Sequence, residues 1–594
     1  MATSLSEPAS TRARSVRTSF KGVFGGRRVS WWIALFAMTL GLPTLRSGLA
    51  TDDFVHRALA RVPGRCLDVF SFVDASWAER AKELGLLPWY TPAGFRLSFW
   101  RPLASLTHCV DSRFFPDAVA WMHVENLLWF GASIVAVGAL YRRLMSSVWA
   151  AGLATWFYAV DDAHGPAVGW LASRNGLMAS CFGALALCAH DRYGHERLIG
   201  RRVRGPVVFA CALLSAEAGV QTLGYLVAYV ACDRRSKQAA RWAALAPYVL
   251  VTAAWAGAYR ALGHGVRGSS LYVDPLRSTR AFAHEAVLRL PTLLASVWGG
   301  RSANAVSVLS LDRQSEWSVI AVALLAGLAL VLEPFLRSVP RAGFWALGSG
   351  LSAVAACAGP LSDRALAQVA LGVMALAAEA VVVVATAAHA RWSWSFGPAA
   401  LVATMLAVRH GVVAPPLLAS RMLEVKRTGE KVEHQREALE EAGRGGRMVV
   451  VVRGPDLFQC TLARVLASLS MGRPPPGLCL AGGPSAAIVQ RVDAYTLRIQ
   501  PEGGFIDAPG NRLCYGPSQA FSAGESETLG EMAVTVERIT PNGEPADATF
   551  RFSHALDDPA FVWLVWTHGD YVGVTLPAAG ASLSLEAIDA EILP

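Results

Sequence analysis

Charged residues are scarce in this chain. Asp, Glu, Lys and Arg make up only 17% of its 594 residues, whereas apolar residues make up 53%. The mean hydropathy of +0.36 excludes a water-soluble protein of this size. The apolar residues also fall in long blocks, and this predicts a polytopic α-helical membrane protein.

Metal-type cysteine spacings are also missing. The ten cysteines are scattered, with no CxxC pair and no zinc-like spacing, so the sequence gives no sign of a cysteine-ligated metal site. Cys66 and Cys109 could pair in an oxidising compartment, but two unpaired thiols are the preferred interpretation.

The net charge of +9 does not indicate nucleic-acid binding. Lys and Arg lie in short loops between apolar runs, as in Tyr141-Arg142-Arg143, which is the topology pattern of membrane proteins. We therefore expect a lipid bilayer, and no nucleic acid, as the partner of this charge.

The order of apolar runs predicts about nine to ten spans. A cytoplasmic basic leader (1–29) precedes the run 31–49 without an A-x-A-like cleavage site, which predicts a retained first helix and a cytoplasmic N-terminus. Further spans are predicted near 119–140, 146–160, 171–189, 241–262, 317–336, 342–359, 365–388 and 395–413. The basic loops predicted to be cytoplasmic are 141–143, 192–204, 233–237, 337–341 and 389–391. The segments predicted on the far side are 49–118, 161–170, 263–316, 360–364 and the C-terminal tail.

Residues 205–231 do not fit a simple span. They lie between two basic loops that should both be cytoplasmic, and 27 residues are too few to cross twice. A re-entrant pair of short helices is predicted, with its bend buried in protein. Glu217 then lies at membrane depth, where an ionisable group is either a functional residue or the partner of a buried Arg.

Polar residues that could carry chemistry collect at the predicted far-side ends of the first four spans. Asp52 and Asp53 follow the first span, and Arg101 stands beside a proline in the long first loop. His123 and Asn126, at i and i+3, share one face at the start of the second span. The next loop and span supply the remaining candidates: Asp161, Asp162, His164 and Arg174. Individually these residues could be ordinary interfacial anchors, but their shared side favours a common site.

The order of these motifs resembles that of the GT-C glycosyltransferases, in particular the bacterial relatives of protein O-mannosyltransferases and of tetratricopeptide-containing O-mannosyltransferases. The matching features are Asp52-Asp53 after the first span, then Trp100-Arg101-Pro102-Leu103, then His123-x-x-Asn126. The family's third-loop pattern is matched by 161–170 through Arg174, and its Leu-Ser-Lys-Glu motif by Leu214-Ser215-Ala216-Glu217. A loop at 268–275 is also similar, so the resemblance covers roughly residues 30–300.

The sequence departs from the family pattern at several positions. Asp161-Asp162 stands where the family has His-Pro, Pro166 stands at the loop Glu, and Ala216 stands at the Lys. The tail shows no 34-residue repeat. These departures put the acceptor, and activity itself, in question.

The resemblance implies an enzyme that moves a sugar from a polyprenyl-phosphate carrier to a protein, glycolipid or glycan acceptor on the extracytoplasmic side. Asp52 or Asp53 would be the general base and the other a positioning acid, with Asp53 preferred as base. Arg101 and Arg174 would hold the phosphate. His123, Asn126, His164 and Glu217 complete the predicted substrate-binding set. The sequence identifies no cofactor with certainty. A divalent metal on Asp52, Asp53, Asp161 and Asp162 is chemically reasonable, although the spacing does not demand one.

The C-terminal quarter of the chain differs in composition. We expect a GT-C-like transmembrane domain (30–415), a charged helical linker (416–445) and a soluble, mainly-β domain (446–594). Strands are predicted at 448–452, 495–499, 532–539, 548–552, 561–566 and 571–576, with a helix at 456–471, in a small sandwich or barrel. The number of predicted spans places this domain on the extracytoplasmic side of a bacterial-type inner membrane.

Two other functions agree with parts of the sequence. An inactive scaffold of the same fold would explain the missing Lys and loop Glu. A transporter or flippase would explain the many spans and the buried Glu217. However, a transporter of this kind would carry paired broken helices in both halves, and only one broken hairpin is predicted.

Overall fold

The computed structural model describes residues 24–193, 203–232, 242–387, 397–516 and 519–588. The predicted basic loops at 192–204, 233–237 and 389–391 lie wholly or almost wholly outside these residues. The helices are α1 (Val29–Leu40), α2 (Asp52–Ala60), α3 (Ala78–Glu83), α4 (Pro102–Phe114), α5 (Val119–Leu144), α6 (Val148–Val160), α7 (Gly165–Gly169), α8 (Arg174–Tyr193), α9 (Arg204–Ser215), α10 (Gln221–Cys232), α11 (Ala246–Ala261), α12 (Thr279–Val297), α13 (Ala303–Ser307), α14 (Leu311–Leu336), α15 (Ala342–Ala356), α16 (Ala367–Ala387), α17 (Gly397–Val408), α18 (Ala414–Ala442) and α19 (Leu457–Met471).

The prediction of a polytopic helical membrane protein with a C-terminal β-rich region is confirmed. Within the described ranges, six helical segments are long and apolar enough to cross a bilayer. Three further apolar helices are shorter, with 13 residues in α6, 12 in α9 and 15 in α15. At 1.5 Å per residue these are shorter than the roughly 30 Å bilayer core. The predicted spans at 146–160 and 342–359 are therefore shorter than expected.

The predicted break at Glu217 is confirmed. Helices α9 and α10 have 12 residues each and are separated by an extended residue, Ala216, and a short 3-10 turn from Glu217 to Val220. Gly219 lies so close to α9 that a Cβ would come within 2.6 Å of the Ala212 carbonyl carbon. The bend therefore depends on a residue without a side chain.

The last apolar helix does not end where the linker was expected to begin. A π-helical turn, Arg409–Val413, joins α17 to α18, and the helical path continues to Ala442. The apolar span and the charged segment thus form one continuous helical segment.

The first far-side loop is folded. Strand β2 (Arg96–Ser98) pairs with β1 (Ser71–Val73) on one edge and with β3 (Gly265–Arg267) on the other, in an antiparallel sheet. Cys66 is bonded to Cys109, so the preference for two unpaired thiols was wrong. The loop brings together two cysteines that are separated by 43 positions, and sequence spacing alone does not reveal this proximity.

The C-terminal region contains two sheets. Its strands are β4 (Met448–Gly454), β5 (Gly477–Gly482), β6 (Ala487–Arg491), β7 (Thr496–Pro501), β8 (Ser526–Leu529), β9 (Met532–Ile539), β10 (Pro545–Phe552), β11 (Phe561–Thr567), β12 (Asp570–Gly573) and β13 (Ser582–Leu585). The six-stranded antiparallel sheet has the order β13-β6-β7-β10-β9-β8. The other sheet, β12-β11-β4-β5, contains parallel pairs, and helix α19 connects β4 to β5. This parallel unit was not expected of a small sandwich or barrel.

Candidate active site

The two aspartates after the first span begin helix α2, and the chain enters this helix through a strained turn. Gly48 and Thr51 both have positive φ values, 72° and 43°. A β-branched residue rarely adopts this conformation, so the surrounding structure must hold it in place. The His123 ring nitrogen Nε2 lies 2.9 Å from the Gly48 carbonyl oxygen. Gly429 of α18 lies against Ala50. A Cβ at position 429 would come within 3.0 Å of the Ala50 Cβ, so a larger residue would crowd the turn.

Both carboxylate oxygens of Asp53 accept hydrogen bonds from backbone N–H groups. Its side chain is buried, and it accepts hydrogen bonds from the Ala50 N–H at 2.9 Å and from the Ala172 N–H at 2.7 Å, one at each oxygen. Burial raises the pKa of this carboxyl to about 7, although the two N–H groups act in the opposite direction. Both oxygens thus fix the turn and the start of α8, which favours a positioning role over that of a base.

Asp52 is the freer carboxyl of the two. It is half-buried, and within the described ranges no hydrogen bond to its side chain is found. Burial raises its pKa above the ordinary value, while the charges of Arg364 and Arg101 lower it. Asp52 therefore lies within the electrostatic reach of two guanidinium groups.

Arg101 is held in a defined position on this side of the cluster. It caps helix α4, and its guanidinium lies 4.3 Å from the Phe99 ring centroid and 4.9 Å from that of Phe70. Its Nε donates to Oε2 of Glu217 at 2.7 Å. The Tyr259 hydroxyl donates to the other oxygen of Glu217 at 3.1 Å. The break between α9 and α10 thus supplies the carboxylate that orients Arg101.

Arg364 forms the opposite side of the cluster and was not identified from the sequence. Its guanidinium lies 4.3 Å from the Trp170 ring centroid and donates to the Ser173 hydroxyl at 3.1 Å. Among the described residues it has no carboxylate within ion-pair distance, and its side chain is accessible to solvent. The surrounding protein lowers its pKa, and the nearby Tyr272 and Asp52 partly offset this effect. Its position in the predicted far-side loop 360–364 was the signal that could have found it.

An open cavity of about 330 Å³ adjoins this cluster. Arg364, Trp170 and Thr51 line it on one side, and Asn304 and Ser307 contribute polar groups on another. Tyr272 packs near Phe99, with ring centroids 5.5 Å apart, and its hydroxyl interacts electrostatically with both arginines and with Asp52. The structure thus brings together segments from four predicted far-side loops.

Arg174 belongs to a separate buried network. Its side chain has no exposure and forms ion pairs with Asp111 at 2.7 Å and with Glu125 at 3.1 Å. It also donates to the Met122 carbonyl oxygen at 3.0 Å. This pairing ties α4, α5 and α8 together. Removing one member of a buried pair generally costs about 3–5 kcal/mol, so a structural role explains Arg174 better than the predicted phosphate contact.

The other predicted site residues also lie in the interior. Asn126 donates to the Val168 carbonyl oxygen at 2.6 Å and thereby fixes the third-loop motif itself. His164 is buried with its ring against Tyr158, with centroids 4.7 Å apart, and burial lowers its pKa to about 4. His123 therefore holds the turn before Asp52 and Asn126 holds the third loop, whereas His164 packs in the core.

The four aspartates proposed as metal ligands do not fit a metal. Asp162 is paired with Arg409 at 2.8 Å and with Arg421 at 3.2 Å. Asp161 caps the Ala163 N–H, and burial raises its pKa to about 7. Asp53 is engaged by two N–H groups. In the described segments, no three metal-ligating side chains form a cluster, so we derive no step through a metal.

Comparisons with known proteins add a limited finding. No family model matches the chain, and no curated protein matches it. The chain is similar to solved structures of the oligosaccharyltransferase AglB of Archaeoglobus fulgidus. The complex with an inhibitory peptide and dolichol-phosphate has a TM-score of 0.40 at 12% identity. The form tethered to an acceptor peptide has 0.41 at 12%, and the complex with Zn and sulfate has 0.39 at 13%.

The alignments cover 76–77% of this chain and 62–64% of the archaeal one, so this chain spans less than two thirds of its length. At TM-scores near 0.4 the similarity alone does not carry a functional assignment.

Proposed function

We propose that this protein is an integral-membrane glycosyltransferase that moves a sugar from a polyprenyl-phosphate carrier to an acceptor hydroxyl at the extracytoplasmic surface. One observation carries the proposal. The half-buried carboxyl of Asp52 has no hydrogen-bond partner among the described residues and lies within the electrostatic reach of two arginines, one of which has no carboxylate within ion-pair distance among those residues. This cluster lies at the ends of apolar helices, where a lipid-borne substrate would bring its phosphate.

The arrangement fits the chemistry of glycosyl transfer. The acceptor oxygen forms a bond to the anomeric carbon while the bond from that carbon to the phosphate oxygen breaks. The acceptor proton passes to Asp52, and a raised pKa makes this carboxylate a better base than an exposed one. The leaving phosphate gains negative charge, which Arg101 and Arg364 would stabilise. Asp52, rather than Asp53, is therefore the proposed base.

The remaining predicted residues support this centre from a distance. Glu217 and Tyr259 orient Arg101, His123 and Asp53 hold the turn before Asp52, and Asn126 fixes the adjacent third loop. The acceptor is a protein, glycolipid or glycan that enters from the far side. The proposed location is a bacterial-type inner membrane, with the N-terminus cytoplasmic and the C-terminal domain extracytoplasmic.

The test uses the full chain reconstituted in liposomes, a radiolabelled polyprenyl-phosphate hexose, and an extract of envelope proteins and glycolipids as acceptor. We expect Asp52→Asn to lower the transfer rate by roughly 10²- to 10⁴-fold, the usual contribution of a general base. Asp117→Asn is the control, because the Asp117 side chain is 86% exposed, and it should retain full activity. Undiminished transfer by Asp52→Asn would overturn the role of Asp52. Absence of transfer by the unmodified protein with several hexose donors would favour the inactive scaffold.

A further inference from the structure

A second, larger cavity opens on the other side of helix α18, outside the cluster around Asp52. Its volume is about 780 Å³, and it lies between the end of the first span and the first polar turns of α18. Leu42, Leu45 and Leu423 form its apolar lining, and Arg46, Lys426 and Arg427 contribute cations. We call this cavity the α1–α18 groove.

The cations of the groove are poorly compensated. Glu430 is the only carboxylate among the lining residues and lies 3.6 Å from Lys426. Within the described ranges, Arg46 and Arg427 have no carboxylate within ion-pair distance, and both side chains are exposed. With three cations and one carboxylate, the groove has a net charge of +2.

The position of the groove along the helices matches the surface of a bilayer. Arg46 is the last residue of the first apolar segment. On α18, Lys426 and Arg427 follow the apolar turns that contain Leu417 and Leu418. Long basic side chains at helix ends extend to the lipid head groups while their stems stay on apolar surface.

Apolar surface continues from the groove toward the bilayer core. Phe36, Leu42 and Leu417 are exposed by 40%, 52% and 39%. An acyl chain could lie along these residues while its phosphate meets the cations. On the predicted topology this is the translocated side of the membrane, where Lys and Arg are ordinarily depleted. Three cations there therefore suggest a bound anion.

We propose that the α1–α18 groove binds the phosphate-bearing head group of an anionic phospholipid from the surrounding leaflet. The bound lipid would sit between the first span and α18, two elements that both reach the turn before Asp52. The binding site is independent of the proposed transferase activity and can be tested without it.

The experiment uses the full chain in nanodiscs of phosphatidylcholine with 20% phosphatidylglycerol. Native mass spectrometry then counts the phosphatidylglycerol molecules that stay bound to the protein after it is released from the nanodisc. The variant Arg46→Gln/Arg427→Gln should weaken retention by about 25-fold, since each cation near an anionic surface contributes roughly a factor of five. The variant Arg46→Lys/Arg427→Lys keeps both charges and should retain the lipid.

The matched control is Arg444→Gln/Arg473→Gln, which removes the same charge from exposed positions outside the groove and should leave retention unchanged. Equal loss in this control would overturn the proposal, because it would show a general charge effect. Equal retention by both glutamine pairs would overturn it as well. Displacement of phosphatidylglycerol by stoichiometric polyprenyl phosphate would identify the carrier, instead of a bilayer lipid, as the occupant.

Discussion

The Nε of Arg101 donates to Oε2 of Glu217 over 2.7 Å, linking the start of α4 to the break between α9 and α10, 116 positions further along the chain. The pair is partly exposed, at 18% and 29%, so its direct contribution to stability is modest. The pair matters because it fixes the orientation of the Arg101 guanidinium group. With Nε engaged by Glu217, the terminal nitrogens of Arg101 are available to a substrate anion.

This geometry predicts a graded series at Glu217. Glu217→Gln keeps an oxygen acceptor for Arg101 and should retain much of the transfer rate. Glu217→Ala removes it and should reduce kcat/KM by about tenfold or more, because misplacing a catalytic group by 1 Å can cost as much as about 100-fold. Steady-state kinetics of the two variants in liposomes would measure the difference. Equal activity of Glu217→Ala and the unmodified protein would show that Arg101 needs no orientation.

Arg364 should set the pH dependence of transfer through its charge. Asp52 must be ionised to act as a base, so the rate falls as the pH drops through its pKa. The positive charge of Arg364 is the largest influence that lowers this pKa. Arg364→Gln should therefore raise the pKa of Asp52 and move the acidic limb of the pH–rate profile to higher pH. Arg364→Lys keeps the charge and should leave the limb in place, even if its rate is lower. An unmoved limb in Arg364→Gln would separate Arg364 from Asp52.

The substitution Asp53→Asn should lower the stability of the folded protein. An asparagine there would point an N–H₂ group at the backbone N–H of Ala50 or Ala172, and an unsatisfied buried donor costs about 1–3 kcal/mol. The pH dependence supplies a second readout. Because the pKa of Asp53 is raised to about 7 in the fold, folding takes up a proton. Its contribution to stability therefore falls as pH rises from about 4, the ordinary carboxyl pKa, to about 7.

Thermal melting of Asp53→Asn across this pH range would show both effects. We expect a lower melting temperature and a reduced slope between pH 4 and pH 7, compared with Asp117→Asn as the control, because the Asp117 side chain is 86% exposed. A variant that melts like the unmodified protein would mean that the two N–H contacts do not hold the turn.

The sequence was sufficient for those features that depend on local pattern. Apolar run length located the six helical segments that are long enough to cross a bilayer, whereas the helices within 146–160, 241–262 and 342–359 are shorter. A charge between small residues located the break at Glu217, and β-branched runs located most C-terminal strands, such as Met532–Ile539. The shared side of the loops predicted that Asp52 and Arg101 lie near each other, and the charge of Arg101 does act on the Asp52 carboxyl. Each of these inferences needs only neighbouring residues and the restrictions of a bilayer.

What could not be predicted depends on long-range packing. Asp52 and Asp53 are adjacent and chemically alike, and they differ because the N–H groups of Ala50 and of Ala172, which is 119 positions away, both donate to Asp53. Arg174 was predicted from the family motif to bind the substrate phosphate. Its side chain is fully buried and forms ion pairs with Asp111 and Glu125. Arg364 lay in the short predicted loop 360–364, which none of the motifs singled out. Tertiary contacts of this kind are not encoded in spacing.

The docking of the C-terminal region on the first far-side loop yields the last prediction. Trp89, 4% exposed, donates from Nε1 to the Leu480 carbonyl oxygen at 2.9 Å, and its ring meets Phe505 edge-on at 5.2 Å. Its truncation to Ala generally costs about 3–5 kcal/mol. Trp89→Ala should therefore release the C-terminal domain from the loop and make the segment near 443–447 sensitive to limited proteolysis. Trp77→Ala, in the same loop but 40% exposed, should leave the digestion pattern unchanged. Equal protection of both variants would mean that other contacts, such as the hydrogen bond from Arg464 to the Gly85 carbonyl oxygen at 2.9 Å, are sufficient to hold the domain.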